Sequence, residues 1–149
     1  MCGIAGVIDL QGETPGHNIL ERMGNVIAHR GPDSCGVYSA PGIGFSHRRL
    51  SIIDLSSNGH QPMSNEDGTI WLVYNGEIYN YQEVRKDLVN RGHQFKSNTD
   101  TETIIHAYEE YGTQSLDRFN GMFAFALWDN NKQLLLAARD RIGIKPFYY

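Results

Sequence analysis

Apolar and polar positions follow two periods along this chain, and the places where the period changes divide it into elements. Residues 3–8, GIAGVI, form a short apolar run suited to a buried strand. From Ile19 the spacing turns helical, with Ile19, Met23, Val26 and Ile27 predicted on one face. The turn-rich HRGPDSCG, 29–36, ends that helix, because Gly31-Pro32 cannot continue it. Two strands are predicted at 35–40 and 42–52, joined at Pro41-Gly42, and a long polar loop covers 54–69. TIWLVYN, 69–75, carries the aromatic and β-branched side chains that suit a strand.

Asn80, with Glu83 three positions on, resembles a capping box, and Tyr81, Val84 and Leu88 share a face of the helix behind it. A further helix is predicted after Asp100, with Ile104, Tyr108 and Tyr111 at helical spacing. Residues 122–129 and 132–140 read as a hairpin about Asn130-Asn131, and KPFYY, 145–149, as the start of another strand. Hairpin links, with strands toward both ends and helices between, predict antiparallel sheets with helices outside, not a βαβ array.

Composition narrows the function. A chain of 149 residues suits one domain with a real core. The net charge of −4 is spread along the sequence without a basic stripe, which argues against nucleic acid as a partner. No apolar run is long enough to span a membrane and no leader-like segment opens the chain, so no membrane partner and a cytoplasmic location are expected. The two cysteines, Cys2 and Cys35, are then expected to be reduced. There is no C-x-x-C or H-E-x-x-H, and the six histidines lack ligand spacing, so no metal site is expected. No phosphate-cradling glycine loop and no G-x-S-x-G turn appears.

Cys2 is the sharpest chemical feature. Methionine removal is expected before so small a residue, and would make Cys2 the N-terminus. Its own α-amine, with an ordinary pKa of ~7.7–8.0, can then accept the thiol proton and later protonate a leaving group. The alternative is a small apolar side chain that happens to stand second. Asn75-Gly76 after a strand is either a turn or a pair of donors, one side-chain amide and one backbone N–H, converging on a developing oxyanion. Arg49 is either a solvated strand charge or a planar fork for a carboxylate. Asp100 is either a helix cap or the acceptor for a substrate ammonium. HRGPD, 29–33, is either a helix terminator or a mobile cover over a ligand.

Taken together and in order, MCGI (1–4), HRGPD, RLSIIDL (49–55), GHQPM (59–63), YNGEIYNY (74–81), TDTE (99–102), NGMFAFALWD (120–129) and ARDRIGIKPFYY (138–149) resemble one family. It is the class II glutamine amidotransferase domain of glutamine-hydrolysing asparagine synthetases, and the resemblance covers essentially the whole chain. It implies an α+β N-terminal nucleophile hydrolase fold, an αββα sandwich of two stacked antiparallel sheets between helical layers. It implies Cys2 as nucleophile, Asn75 and Gly76 as oxyanion hole, and Arg49 on the α-carboxylate of L-glutamine. Glu77 and Asp100 match acidic residues around the α-amine, and Leu50 to Ile53 a wall of the pocket.

The implied chemistry is glutamine hydrolysis to glutamate and ammonia through a Cys2 thioester. The implied partner is a C-terminal synthetase domain, absent here, that uses the ammonia to make asparagine. ATP and magnesium are expected only in that domain, and no cofactor in residues 2–149. A homodimer is a further partner the resemblance allows. The amidotransferase domain over 2–149 is expected to be incomplete at its C-terminal end, since family members continue past the KPFYY-like strand. Two alternatives stay open: a non-catalytic fragment that binds glutamine or docks a partner, and an amidotransferase with a different acceptor.

Overall fold

A computed structural model describes all of residues 1–149. Seven strands run β1 (Gly3–Ile8), β2 (Ser34–Ala40), β3 (Ile43–Arg49), β4 (Met63–Ser64), β5 (Ile70–Ile78), β6 (Gly121–Asp129) and β7 (Leu134–Arg139). Three α-helices, α1 (His17–Val26), α2 (Tyr81–Asn90) and α3 (Asp100–Tyr111), accompany them, with 3₁₀ turns at Ala28–Arg30, Ser57–Gly59 and Gly112–Arg118. The strands form two antiparallel sheets, one in the order β1-β3-β2 and one in the order β4-β5-β6-β7.

The period-2 alternation of β3 explains how the layers stack. Ile43 and Phe45 join Val73, Ala126 and Trp128 in a core between the sheets. Gly44 and Ser46 point the other way, under α1, where a Cβ added at Gly44 would press on Leu20. In β5 the even positions Ile70, Leu72, Tyr74 and Ile78 face α2 and α3 and share a larger core with Leu88, Ile104 and Phe125. The result is helix, sheet, sheet, helix: the αββα sandwich expected from the sequence. Its two cores require both faces of the β5–β6 pair to be apolar, and β6 is accordingly buried from Phe123 to Asp129.

Four expectations need correction. The buried face of α1 is Leu20 and Gly24, not the stripe of Ile19, Met23, Val26 and Ile27; Ile19 and Val26 are exposed. Gly24 has no side chain, so the helix can lie against Ser46, and its carbonyl accepts from Arg48 Nε at 3.1 Å. Strand β3 stops at Arg49 instead of running to 52, because the chain turns there to wrap the Arg49 guanidinium. Asn80 does precede α2, but its side chain makes no capping bond. It reaches instead to the Arg118 carbonyl and the Asn120 N–H. KPFYY forms no strand; Phe147 packs against the core between the sheets.

Candidate active site

One cavity lies where the start of β1, the end of β3, the C-terminal half of β5 and the N-terminus of α3 converge. Its lining includes the nucleophile, oxyanion and substrate-binding candidates from the sequence, Cys2, Arg49, Leu50, Ile53, Asn75, Gly76, Glu77 and Asp100, but no residue of HRGPD. They come from segments far apart in the chain, so their meeting is a product of the fold.

Cys2 enters the cavity just ahead of β1. Its Sγ lies 3.4 Å from the Leu50 N–H and 3.6 Å from the Leu50 carbonyl. The backbone at Leu50 therefore does more than wall the pocket: it fixes where the sulfur sits. Arg30 Nε donates to the Cys2 carbonyl at 3.1 Å. HRGPD brackets the end of β3: the Asp33 N–H donates to the Arg49 carbonyl, and Asp33 Oδ2 accepts from the Ser51 N–H at 2.7 Å. A Cβ at Gly31 would collide with the Arg48 carbonyl, so glycine permits that approach.

Arg49 is only 7 % exposed, yet no carboxylate lies within ion-pair distance of it. Three of its five N–H groups go to carbonyls of the following loop, at Ile53, Asp54 and Ser56. The nearby Asp54 carboxylate is occupied elsewhere. It accepts the Asn98 and Ser56 N–H groups and the Ser56 hydroxyl, which hold its pKa below the usual carboxylate value. A buried, unpaired guanidinium at a cavity is a costly arrangement unless an anion completes it. Gly59 lies flat against it, where any side chain would strike the guanidinium.

Asn75 and Glu77 continue the β5 face that looks toward the other sheet. Gly76 pairs with Phe123 of β6, and a Cβ there would collide with the Met122 carbonyl. The alternation of strand hydrogen bonds fixes where the Gly76 N–H points. On the edge of β5 away from β6, the N–H of Ile70 donates to Asn65 Oδ1, that of Tyr74 to Gln61 Oε1 and that of Ile78 to Asp100 Oδ2. Gly76 has the same parity, so its N–H faces this same edge, and no side chain accepts it. A free backbone donor thus stands beside a free side-chain amide.

Asp100 begins α3. Its N-cap is Thr99, whose Oγ1 accepts from the Glu102 N–H at 3.2 Å, so Asp100 is not the cap. Asp100 Oδ2 accepts the Tyr74 hydroxyl at 2.6 Å and the Ile78 N–H at 3.0 Å. Burial raises its pKa, against the opposing pull of those hydrogen bonds. Burial, and then the Asp100 charge, hold the Tyr74 hydroxyl well above its ordinary pKa, so it stays a donor. Glu77 adds a second carboxylate to the lining.

Lys145, which lines the cavity, and His47, which lies behind it against Tyr74, carried no signal in the sequence. Lys145 is buried, and its Nζ meets Met1 Sδ at 3.0 Å inside the cavity. His47, on the inner face of β3, donates from Nε2 to the Tyr74 carbonyl at 3.1 Å, while its buried Nδ1 has no partner. Burial lowers its pKa to about 4, so it is neutral at neutral pH. With Met1 attached, the Cys2 nitrogen is a peptide N–H and the methionine side chain occupies part of the pocket.

Comparison with known proteins places the chain in a family and a fold. A family model described as "Glutamine amidotransferase domain" matches residues 1–149. Asparagine synthetase [glutamine-hydrolyzing] 1 of Bacillus subtilis is 44 % identical over 152 residues, covering 100 % of this chain and 24 % of its own. Asparagine synthetase [glutamine-hydrolyzing] 2 of the same organism is 47 % identical over 152 residues, covering 100 % of this chain and 20 % of its own. The chain thus spans about a quarter or less of the length of these relatives. Among solved structures, the glutamine phosphoribosylpyrophosphate amidotransferase of B. subtilis superimposes with a TM-score of 0.67 at 20 % identity. That match covers 82 % of this chain and 34 % of that one, and it shows a shared fold.

Proposed function

The chain belongs to the glutamine amidotransferase domain family, and from that premise we propose that its cavity hydrolyses L-glutamine with Cys2 as nucleophile. The observation that carries this reading is the chemical inventory of one cavity. Free glutamine presents a carboxylate, an ammonium and an amide. The cavity offers an unpaired Arg49 guanidinium, the carboxylates of Asp100 and Glu77, and a thiol beside the Asn75 amide and the Gly76 N–H.

Loss of Met1 frees the Cys2 amine as a base and removes a side chain from the pocket. Arg49 and the two carboxylates hold the α-groups, which orients the side-chain amide toward the sulfur. Thiolate attack gives a tetrahedral intermediate whose oxyanion accepts from Asn75 and Gly76. Collapse expels ammonia, with the proton supplied by the Cys2 ammonium, and leaves a γ-glutamyl thioester that water cleaves to glutamate. Asparagine falls one methylene short of the sulfur when its α-groups are held.

The ammonia acceptor lies outside these 149 residues. The length of the relatives supports a C-terminal synthetase domain as the consumer, with ATP and magnesium held there and asparagine as the product. A second reading, glutamine binding without turnover, would follow from retention of Met1, since a retained methionine removes the base. Glutamate release from L-glutamine, measured beside the intact mass of the chain, decides between them. A chain lacking Met1 releases glutamate and its Cys2→Ala variant does not. A folded chain lacking Met1 that releases none supports the binding-only reading.

A further inference from the structure

Away from the cavity, two histidines and a glutamate meet where the segment after α2 crosses α3. His106 and Glu109 stand one turn apart on α3, and His93 reaches them from the 91–98 segment. His93 Nδ1 lies 3.2 Å from His106 Nδ1, His106 Nδ1 lies 2.8 Å from Glu109 Oε2, and His93 Nδ1 lies 3.6 Å from Glu109 Oε2. Hydrogens alone do not satisfy this triangle. One Nδ1 carries at most one hydrogen, so His106 Nδ1–H serves Glu109 or His93 but never both.

A tetrahedral zinc ion with bonds of ~2.0–2.1 Å needs ligand atoms about 3.3 Å apart. The three distances bracket that value, and a point about 2 Å from all three atoms exists. The surroundings have the form of a supporting shell. His93 Nε2 lies 3.3 Å from Glu110 Oε2. His106 Nε2, on a residue only 2 % exposed, has no hydrogen-bond partner but faces Glu66 at 3.7 Å and Glu102 at 3.8 Å. Glu109 Oε1 accepts from Asn65 Nδ2 at 2.9 Å. Both imidazoles thus turn their far nitrogens toward carboxylates, the arrangement that orients metal-bound histidines. Four carboxylates gather here against two imidazoles and the Arg91 guanidinium, which is itself paired with Glu110 at 3.0 Å.

We propose that His93, His106 and Glu109 bind a zinc-class divalent cation. Two imidazole nitrogens and one carboxylate favour zinc and its first-row neighbours over magnesium or calcium. Glu109 is partly exposed, which leaves the fourth position open to water. The absence of a linear metal motif is no obstacle, because the ligands converge from a helix and a loop. The bound cation pins the 91–98 segment to α3, the helix that carries Asp100 at its first position.

The test is calorimetric titration of zinc chloride into the chelator-treated full chain, with cobalt(II) absorption as the spectroscopic reporter. One equivalent is expected to bind, with a rise in melting temperature and a tetrahedral cobalt spectrum free of thiolate charge transfer. His93→Gln and Glu109→Gln, shown folded by circular dichroism, abolish the binding, and Glu110→Gln weakens it ~10–100-fold. Absence of binding to the folded wild-type chain overturns the proposal. So does binding that survives Glu109→Gln, or a thiolate band that moves the metal to Cys2 or Cys35.

Discussion

The chemistry rests on a few side chains that the fold leaves incomplete. Arg49 is buried without an anion, and Asn75 lines the cavity without a protein partner. Under the proposed function, a zwitterionic amide substrate makes these local deficits good. Asn75→Ala removes one of the two donors to the developing oxyanion and is expected to lower kcat by ~10²–10³-fold with little change in KM. Steady-state kinetics and a circular dichroism spectrum check it. An unchanged kcat in a folded variant removes the oxyanion role. Two roles that the sequence did not assign are instructive too. Arg30 acts through the Cys2 carbonyl, and Leu50 through its backbone. Neither role has a residue-type signature, since one lies in a long-range hydrogen bond and the other in a main-chain group.

At the scale of elements, positioning falls to helix and strand ends. Thr99 caps α3 and ties it to Ser97, whose Oγ is 2.8 Å from Thr99 Oγ1. Thr99→Ala is expected to cost ~1–2 kcal/mol of stability, read as a lower denaturant midpoint at constant m-value. It should also raise KM more than it lowers kcat, because Asp100 shifts relative to the substrate ammonium. A variant as stable as the wild type, with the same KM, contradicts that account. Most elements were legible in the sequence: the apolar runs 3–8 and 122–129 lie within strands, and 69–75 enters β5 at Ile70. The α1 face was not, because its burial is set by close approach at Gly24, and a hydrophobicity pattern cannot register a residue without a side chain. Arg49 as the end of β3 was hidden for a related reason: RLSII is as apolar as a strand, but the chain turns so that the Ile53, Asp54 and Ser56 carbonyls face the guanidinium. The site residues were legible only as a set. Each alone has a commoner structural use, and their convergence required the two sheets to stack.

At the scale of the molecule, the sandwich buries polar groups between its layers, and this gives stability a pH dependence. His47 sits between the sheets with a pKa lowered to about 4 by burial. Below an unfolded pKa near 6.5 the unfolded chain takes up a proton that the folded chain refuses. The stabilisation is therefore complete above about pH 6.5. It is lost as pH falls toward 4, on the order of 3 kcal/mol in total. Melting temperatures followed over this window should fall less steeply for His47→Gln than for the wild type, and parallel curves would assign the loss to other groups. The same stacking of sheets brings Cys2, just ahead of β1, into one cavity with Asn75 of the other sheet, so the site depends on the assembled sandwich.

The most direct test of the central claim is to trap the nucleophile. The chain lacking Met1 is incubated with a glutamine analogue that carries a diazoketone in place of the amide, digested, and mapped by mass spectrometry. The account predicts one adduct, on Cys2, that excess L-glutamine prevents and that Cys35 does not acquire. An adduct shared equally with Cys35, or none on Cys2 in a folded chain, would contradict the assignment of this cavity as a glutaminase site.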